Sequence, residues 1–301
     1  MKRLISLVIL LLLVLLACWY FLVKDYNYLV RFETKHNQGA VFSTIKNWLL
    51  DKHPEIDSLV TVEKKFPNYL VQDLFVNDSI IQLTWKIEEL NDSTSKVKLY
   101  TKDLKGSFKQ NLSAIYSKND FVKRTIDLAQ NLNQGLIVHE EDYKITPKKE
   151  IIEFPETFCA CVHAESSIFS KANSMMEHIG VVMGYINRHD LQLMGDPMLQ
   201  VLEWNKDTEA ISYDFCFPIE FNYQLPKSDK LTLKTVGPFK AIQTNFNGNY
   251  RISDRAWYTA LKSAENKGIP VVELPVEIYR NDPHIGAGAK DWLAEVYMPV
   301  K

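Results

Sequence analysis

The chain has 301 residues, of which 46% are hydrophobic and 24% charged, a balance typical of a folded globular protein and not of a disordered one. Its length suits two ordinary domains better than one. The formal net charge is −2, and the sequence has no helix-turn-helix or zinc-finger spacing, so we expect no nucleic-acid partner.

The first predicted element is a transmembrane anchor over residues 1–24. Residues 4–23 include no charged side chain. A helix of that length is about 30 Å long, which matches the hydrocarbon core of a bilayer. Trp19 and Tyr20, near its end, fit an interfacial aromatic belt. We therefore expect a single-pass membrane protein.

The flanking residues indicate the orientation of this anchor. Lys2 and Arg3 favour a cytoplasmic N-terminus, which would place the bulk of the chain outside the cytoplasm. A lipoprotein is the alternative, because the sequence ending at Cys18 resembles a lipoprotein cleavage box. The residues after Cys18 remain apolar, however, where a processed lipoprotein usually becomes polar.

Residues 25–138 are predicted to form an α+β domain. A strand over 27–34 precedes a helix over 38–53, which has an apolar face at 3.6-residue spacing. An antiparallel meander follows, with clean alternation in IIQLTWKIEEL and a turn at 91–93. The closing helix would be capped by Ser117 or Asn119 and ended by Gly135.

This element order, with the passage Gly39-Ala40-Val41-Phe42, resembles the START/polyketide-cyclase-like (SRPBCC) helix-grip superfamily. The resemblance covers about residues 25–140. It implies a hydrophobic cavity between the sheet and the last helix, suited to a lipid or another apolar ligand. The acids and lysines of this stretch are scattered and supply no catalytic set. The polar residues 139–150 are interpreted as a linker.

Residues 151–301 are predicted to form a second domain that contains a repeat. Each copy has a strand, a helix, a Gly-x-Pro sequence and two further strands, and the Gly-x-Pro sequences lie at 195–197 and 268–270. The last strands align Asp214 with Glu295. A duplicated β-α-β-β unit generates a pseudo-two-fold axis, and such junctions commonly form ligand clefts. The two acids would lie on either side of that axis.

The second domain resembles the GyrI-like small-molecule-binding domain, which is also the effector-binding half of AraC-type and MerR-type regulators. The residues that carry the resemblance are Gly237-Pro238-Phe239, Trp257, Glu277-Ile278-Tyr279 with Asn281-Asp282-Pro283, and Trp292 to Pro299. The resemblance implies a cleft between the repeats for apolar, often cationic ligands, with an acid on the final strand, here Glu295. A transcriptional role is not expected, because this chain has no DNA-binding domain.

The candidate ligand site is centred on Glu295. A carboxylate with aromatic walls would suit a lipophilic cation, since each aromatic face can add a cation–π attraction of about 0.5–2 kcal/mol. The candidate walls are Trp257, Tyr279 and Tyr297, and Asp214 is a further candidate ligand residue. We expect a small apolar or cationic ligand, with the membrane as the other partner. Neither the ligand's identity nor the oligomeric state follows from the sequence.

Two alternatives remain open at this point. The protein would be a hydrolase of a strained small electrophile if Glu295 acted as general base with Tyr279 or Tyr297 as hydrogen-bond donor. It would be a membrane-tethered interaction module if neither domain held a ligand.

We expect no metal and no cofactor. Cys159, Cys161 and His163 share one strand face, but zinc sites usually take ligands from two elements. The cysteines are interpreted as buried small hydrophobic residues.

Overall fold

A computed structural model describes residues 2–48, 57–91, 94–116, 119–222, 224–283 and 288–301. Contacts within the chain divide it into two compact units, Met1–Ile137 and Val138–Lys301. Each unit contains helices and one antiparallel sheet, which agrees with the predicted α+β class.

The N-terminal helix α1 spans Lys2–Cys18 and continues through a π-helical turn, Trp19–Val23. The stretch Leu4–Phe21 is long and apolar enough to cross a membrane, and none of it is buried within the structure. From Leu4 to Leu16 exposed apolar side chains surround the helix, so this described stretch has no continuous polar face that would suit contact with water.

The first unit contains a five-stranded sheet with the order β1-β5-β4-β3-β2. Its strands are β1 (Tyr28–Thr34), β2 (Ser58–Lys65), β3 (Tyr69–Val76), β4 (Ser79–Asn91) and β5 (Thr94–Asp103). Its helices after α1 are α2 (Gln38–Trp48), α3 (Ser107–Tyr116) and α4 (Asp120–Asp142). The predicted strand–helix–meander–helix order is present, with α3 as an addition that the sequence analysis did not identify.

The core of this unit lies between the sheet, α2 and α4. Its centre contains Trp85 and Phe42, both almost fully buried, and the apolar stripe of α4 packs against them. The indole of Trp85 donates a 3.0 Å hydrogen bond to the Gln72 side chain, which satisfies its buried N–H. The resemblance of this unit to the SRPBCC superfamily stays a prediction.

The sequence analysis predicted a cap at the start of α4 and a stop at its end, and the structure describes both ends. Asn119 caps the helix, because its Oδ1 accepts a 2.9 Å hydrogen bond from the backbone of Val122. Gly135 does not end it, because Leu136 packs in the core and its carbonyl lies 2.8 Å from His36 Nε2. The predicted turn residues 92–93, the alternative cap Ser117 and the end of the predicted second helix, 49–53, lie outside the described residues.

The predicted linker over 139–150 is corrected by the structure. The helix α4 continues to Asp142, and a strand, β6, occupies Lys144–Phe154. Among the described strands it pairs with β11 alone, so it forms one edge of the second sheet. An edge strand tolerates exposed lysines and Pro147, which explains why its sequence resembles a linker.

The second unit is built on an eight-stranded sheet with the order β10-β7-β9-β8-β12-β13-β11-β6. The strands after β6 are β7 (Thr157–Ser167), β8 (Met198–Asn205), β9 (Ala210–Pro218), β10 (Thr232–Val236), β11 (Phe239–Asn247), β12 (Val276–Tyr279) and β13 (Leu293–Pro299). The helices α5 (Lys171–Arg188) and α6 (Arg255–Asn266) both pack against one face, here called the helical face. The other face is called the open face.

Two short connections curl this sheet. Residues 155–156 join β6 to β7, and residues 237–238 join β10 to β11. In a flat sheet β6 and β7 would lie six strand spacings apart, about 29 Å, whereas three Cα steps span at most about 11 Å. The two edges must therefore approach each other. Phe154 and Val236, from the two edge strands, share one buried cluster with Ile278 of the open face, so the open face is the concave one.

Gly237 lies where these two connections meet. Its φ is +82°, and a Cβ at this position would lie 2.6 Å from the carbonyl oxygen of Pro155. Any other residue would be strained by its φ and would clash with the neighbouring backbone. The Gly237-Pro238 sequence is thus a requirement of the curled sheet.

Candidate functional site

Strand register determines which predicted site residues share a face. Glu295 faces Ile278 across β13–β12, and Ile278 faces Met198 across β12–β8. The next row of paired residues runs from His163 through Asp214, Gln200, Val276 and Tyr297 to Gln243. Glu295, Tyr297 and Asp214 therefore all lie on the open face.

The floor of the open face is an apolar cluster. Its buried members include Met198, Val276, Ile278 and Tyr297. Phe154 is fully buried here, stacked on Phe239 at 4.6 Å and in edge contact with Tyr297 at 5.1 Å between ring centroids. Side chains from β6 and from the start of β11 thus fill part of the concavity.

Glu295 belongs to a chain of charged groups at the junction of the two halves of the sheet. Arg280, just after β12, donates hydrogen bonds of 3.1 Å from Nε and 2.6 Å from NH2 to Glu295 Oε2. Its NH1 donates a 3.0 Å bond to Asp196, which precedes β8. The Tyr297 hydroxyl donates a 2.6 Å bond to the same Oε2. Two carboxylates thus share one guanidinium.

Burial and these contacts shift two pKa values at the site. Burial raises the pKa of Tyr297, and the charge of Glu295 beside it raises it further. Burial alone would lower the pKa of Arg280, but its hydrogen bonds to Glu295 and Asp196 raise it. Tyr297 is therefore a neutral donor and Arg280 a permanent cation at ordinary pH.

Asp214 is at the centre of a second polar cluster on the same face. His163 Nδ1 lies 2.9 Å from its Oδ1, and Lys234 donates to its Oδ2. Lys234 also donates a 2.6 Å bond to Gln200. Asp214 lies three strands from Tyr297, about 14 Å away, and both of its oxygens have partners. The two predicted acids share a face but do not form one site.

The structure does not bring Trp257 and Tyr279 together with Glu295, which corrects the predicted aromatic wall. Tyr279 follows Ile278, the register partner of Glu295, so its side chain points to the opposite face. Trp257 lies in α6, fully buried on that same helical face. Of the three predicted aromatic walls, only Tyr297 contacts Glu295.

These two aromatic residues instead contact Glu277, which is fully buried on the helical face. Trp257 and Tyr279 each donate a short hydrogen bond to its carboxylate, and Ser253 donates another at 2.8 Å. Lys171, also fully buried, has its Nζ 3.9 Å from Glu277 Oε2. Burial raises the pKa of Tyr279 well above its ordinary value, and the Glu277 charge adds to this.

The expectation for the cysteines is corrected in part. Cys161 and Cys216 face each other across β7–β9 and form a disulfide, whereas Cys159 is a buried free thiol. Burial raises the pKa of Cys159 to about 12, so this thiol is unreactive near neutral pH. The disulfide depends on strand register, which the separation of the two cysteines in sequence does not indicate.

A groove of about 750 Å³ lies where β7 and β8 end and β9 begins. Its lining includes Glu165, Glu203 and Trp204, and none of the predicted site residues. The sequence analysis also missed Arg280 and Asp196. Arg280 directly follows Glu277-Ile278-Tyr279, and Asp196 is the middle residue of the first Gly-x-Pro sequence, and both of these segments were singled out.

No known family model matches the chain, and no curated protein does. Among solved structures, the chain is similar to the C-terminal domain of EcmrR, at 16% identity over 53% of this chain and 98% of that one, with a TM-score of 0.44. A hydrolase from Listeria innocua matches at 15% identity over 52% and 94%, with a TM-score of 0.35. SAV2435 bound to tetraphenylphosphonium matches at 13% identity over 53% and 93%, with a TM-score of 0.31.

Proposed function

We propose that this chain is a membrane-anchored small-molecule-binding protein, with a site for a cationic ligand at Glu295 on the open face. One observation carries the proposal. Asp196 and Glu295 bring two negative charges to the single positive charge of Arg280, so this group of charges has a net charge of −1. A monovalent cation would neutralise it.

The geometry of Glu295 supports this assignment. Within the described residues, every hydrogen bond to its carboxylate is accepted by Oε2, which leaves Oε1 to face a ligand. Only 16% of its side chain is exposed, so the attraction to a cation is less screened than at an open surface. Tyr297 and Ile278 supply adjacent apolar surface. Asp214 lacks this opening, since His163 and Lys234 occupy both of its oxygens.

We also propose that the second unit is a duplicated GyrI-like domain with this site at the junction of its copies. The strand order supports a duplication, because it is mirrored about the β8–β12 pair. Equivalent isolated bridges, Leu193–Ile219 and Val271–Val300, follow the two helices. Arg280 links the halves, since it contacts Asp196 from the first and Glu295 from the second.

The proposed location is outside the cytoplasm, with α1 as a single-pass anchor. Disulfides persist mainly in oxidising compartments, so the Cys161–Cys216 bond supports this orientation. For the first unit we propose a helix-grip relationship, supported by a long final helix packed on a sheet in which the first and last strands are neighbours.

The test is calorimetric titration of the full chain in lipid nanodiscs with tetraphenylphosphonium, the cation in the SAV2435 structure, and with neutral triphenylphosphine oxide. Heat from empty nanodiscs is subtracted, because the cation also partitions into lipid. We expect saturable binding of the cation and weaker binding of the neutral compound. Glu295→Gln should weaken cation binding at least about tenfold, equivalent to about 1.4 kcal/mol.

Asp214→Asn is the matched control, since it removes a carboxylate from the same face and should leave cation affinity within about twofold, less than about 0.5 kcal/mol. Equal loss in both variants would indicate a general charge effect and not a site at Glu295. Undiminished cation binding in Glu295→Gln would overturn the assignment. No saturable binding by the wild-type chain would favour the tethered interaction module.

A further inference from the structure

Three apolar side chains in α3 and in the turn before it are exposed. Leu104 is 43% exposed, Phe108 65% and Leu112 45%. They recur at intervals of four residues, which places Phe108 and Leu112 on one face of the helix. We call these three residues the α3 stripe. Exposure to water of such a stripe is unfavourable by about 25 cal/mol for each Å² of apolar surface.

An adjacent side of α3, which includes Ser107 and Asn111, is fixed to the unit by buried polar contacts. The side-chain amide of Asn27 donates a 2.8 Å bond to Asn111 and a 2.9 Å bond to the carbonyl of Ser107. Its oxygen accepts a 2.8 Å bond from the backbone of Asp103. Asn27 and Asn111 are both 2% exposed, so α3 is held with its stripe directed outwards.

The stripe also contacts the end of the anchor. The rings of Phe108 and Phe21 lie 5.3 Å apart, and the Tyr20 hydroxyl donates a 3.1 Å bond to the carbonyl of Asn111. Phe21 is the last residue of the apolar stretch Leu4–Phe21. Since that stretch is about 27 Å long, its end lies at the boundary between acyl chains and headgroups. Phe108 must lie within a ring's width of the same depth.

We propose that α3 is an interfacial helix whose stripe inserts into the membrane surface beside the anchor. The occupant of this apolar surface is the lipid bilayer, because the stripe is continuous with the lipid-facing surface of α1 through the Phe21–Phe108 contact. Amphipathic helices of this kind bury their apolar face about 5–10 Å into the headgroup boundary. The proposal rests on the membrane anchor proposed above. Two attachments would hold the first unit close to the bilayer.

The test is depth-dependent fluorescence quenching on the full chain in phosphatidylcholine–phosphatidylglycerol vesicles. An NBD label is placed on single introduced cysteines in a Cys18→Ser background, at position 108 in the stripe and position 11 in the anchor. Position 60 is the matched control, because Val60 is another exposed apolar residue, 50% exposed. It lies on β2, four strands from β1, about 19 Å away. Circular dichroism checks that each labelled chain is folded.

We expect lipids with a doxyl group near the headgroup to quench the label at 108 at least about threefold more than the label at 60. The label at 11 should be quenched most by lipids with the doxyl group deep in the acyl chain. If 11 is quenched and 108 behaves like 60, the interfacial helix is wrong while the anchor stands. If 11 is not quenched either, the anchor itself fails. A blue-shifted but unquenched label at 108 would mean that protein covers the stripe, which also overturns the proposal.

Discussion

At the scale of single residues, Glu277 of β12 and Glu295 of β13 lie on opposite faces of the second sheet. Glu277 is fully buried on the helical face, and Glu295 is partly exposed on the open face. Period-two alternation predicts that Glu277 and Tyr279 share a face, and they do. The sequence does not indicate which face, because that depends on the pairing of Ile278 with Glu295.

Sequence patterns also do not indicate which residues contact Glu295. Arg280 is 15 residues away from Glu295 along the chain, and Asp196 is 84 residues away from Arg280. Only the β8–β12–β13 pairing brings the three together. The proposal of Glu295 as a site residue came from an acid that recurs at the same place in both copies, and it stays a prediction. The contact of Glu295 with Arg280 could be seen only in the fold.

The buried pair Lys171–Glu277 provides a stability prediction at this scale. Both side chains are 0% exposed, and the Lys171 ammonium also donates 2.7 Å bonds to Tyr250 and Ser253. Lys171→Met alone would leave a buried carboxylate without its cation, so we expect a loss of about 3–5 kcal/mol in the free energy of unfolding. Urea denaturation of the purified full chain, followed by tryptophan fluorescence, measures it.

The double variant Lys171→Met/Glu277→Gln is the control for charge. It removes both ions, so it should be less destabilised than the sum of the single variants by at least about 1 kcal/mol. Strictly additive losses would show that the two residues do not act as a pair, and a loss under about 0.5 kcal/mol for Lys171→Met would contradict their burial.

At the scale of elements, most helices and strands follow from periodicity, and the exceptions have identifiable causes. Gly135 is a helix-stop signal that the packing of Leu136 overrides. The polar segment 139–150 resembles a linker because an edge strand has few apolar positions. The helix α3 was missed because part of its apolar surface faces outwards and its inner face is polar, through Asn111.

The Cys161–Cys216 disulfide ties β7 to β9 and closes a loop with a sequence separation of 55. In the chain-entropy model a loop of that length contributes about 4 kcal/mol to the free energy of unfolding, and measured values are often smaller. We expect Cys161→Ala/Cys216→Ala to lower the free energy of unfolding by up to about 4 kcal/mol, which is measured as a lower urea midpoint. The reducing agent TCEP should produce a similar decrease in the wild-type chain.

Cys159→Ala is the matched control for this experiment. It removes a buried cysteine from the same strand face but leaves the disulfide, so TCEP should still lower its midpoint. If the wild-type midpoint does not respond to TCEP, or if the double variant is unaffected by loss of the bond, the disulfide does not stabilise this sheet.

At the scale of the whole molecule, the second unit places two polar systems on opposite faces of one sheet. The helical face contains a closed network around Glu277, whose donors are all protein groups, and the open face contains the charged groups around Glu295. The first system contributes to the core, and the second contains the site proposed for a cationic ligand. Composition and length predicted two domains. The placement of these two polar systems on opposite faces depends on the curl and register of the sheet, which composition and length do not indicate.

The second unit also has an unusual set of buried phenols, which predicts a response to alkaline pH. Burial raises the pKa of five tyrosines, which are Tyr185, Tyr213, Tyr250, Tyr279 and Tyr297. For Tyr250 the pKa rises to about 12. In the unfolded chain these groups ionise near pH 10. Below that pH these phenols are protonated in both the folded and the unfolded chain, so they do not lower the free energy of unfolding. As the pH rises above about 10, the unfolded state loses protons that the folded state retains, so the free energy of unfolding falls until the folded pKa values are passed.

Urea midpoints at pH 8, 9.5 and 11, with tyrosinate absorbance at 295 nm, measure this effect. We expect little change between pH 8 and 9.5 and a clear decrease by pH 11, reversed on return to pH 8. Tyr297→Phe is the matched variant, because it removes one of the shifted groups and should reduce the decrease. A midpoint that is constant to pH 11 would mean that the buried phenols ionise as readily in the folded chain as in the unfolded one. The Tyr297 hydroxyl would then ionise like an exposed phenol, which would contradict the burial and the Glu295 contact that raise its pKa.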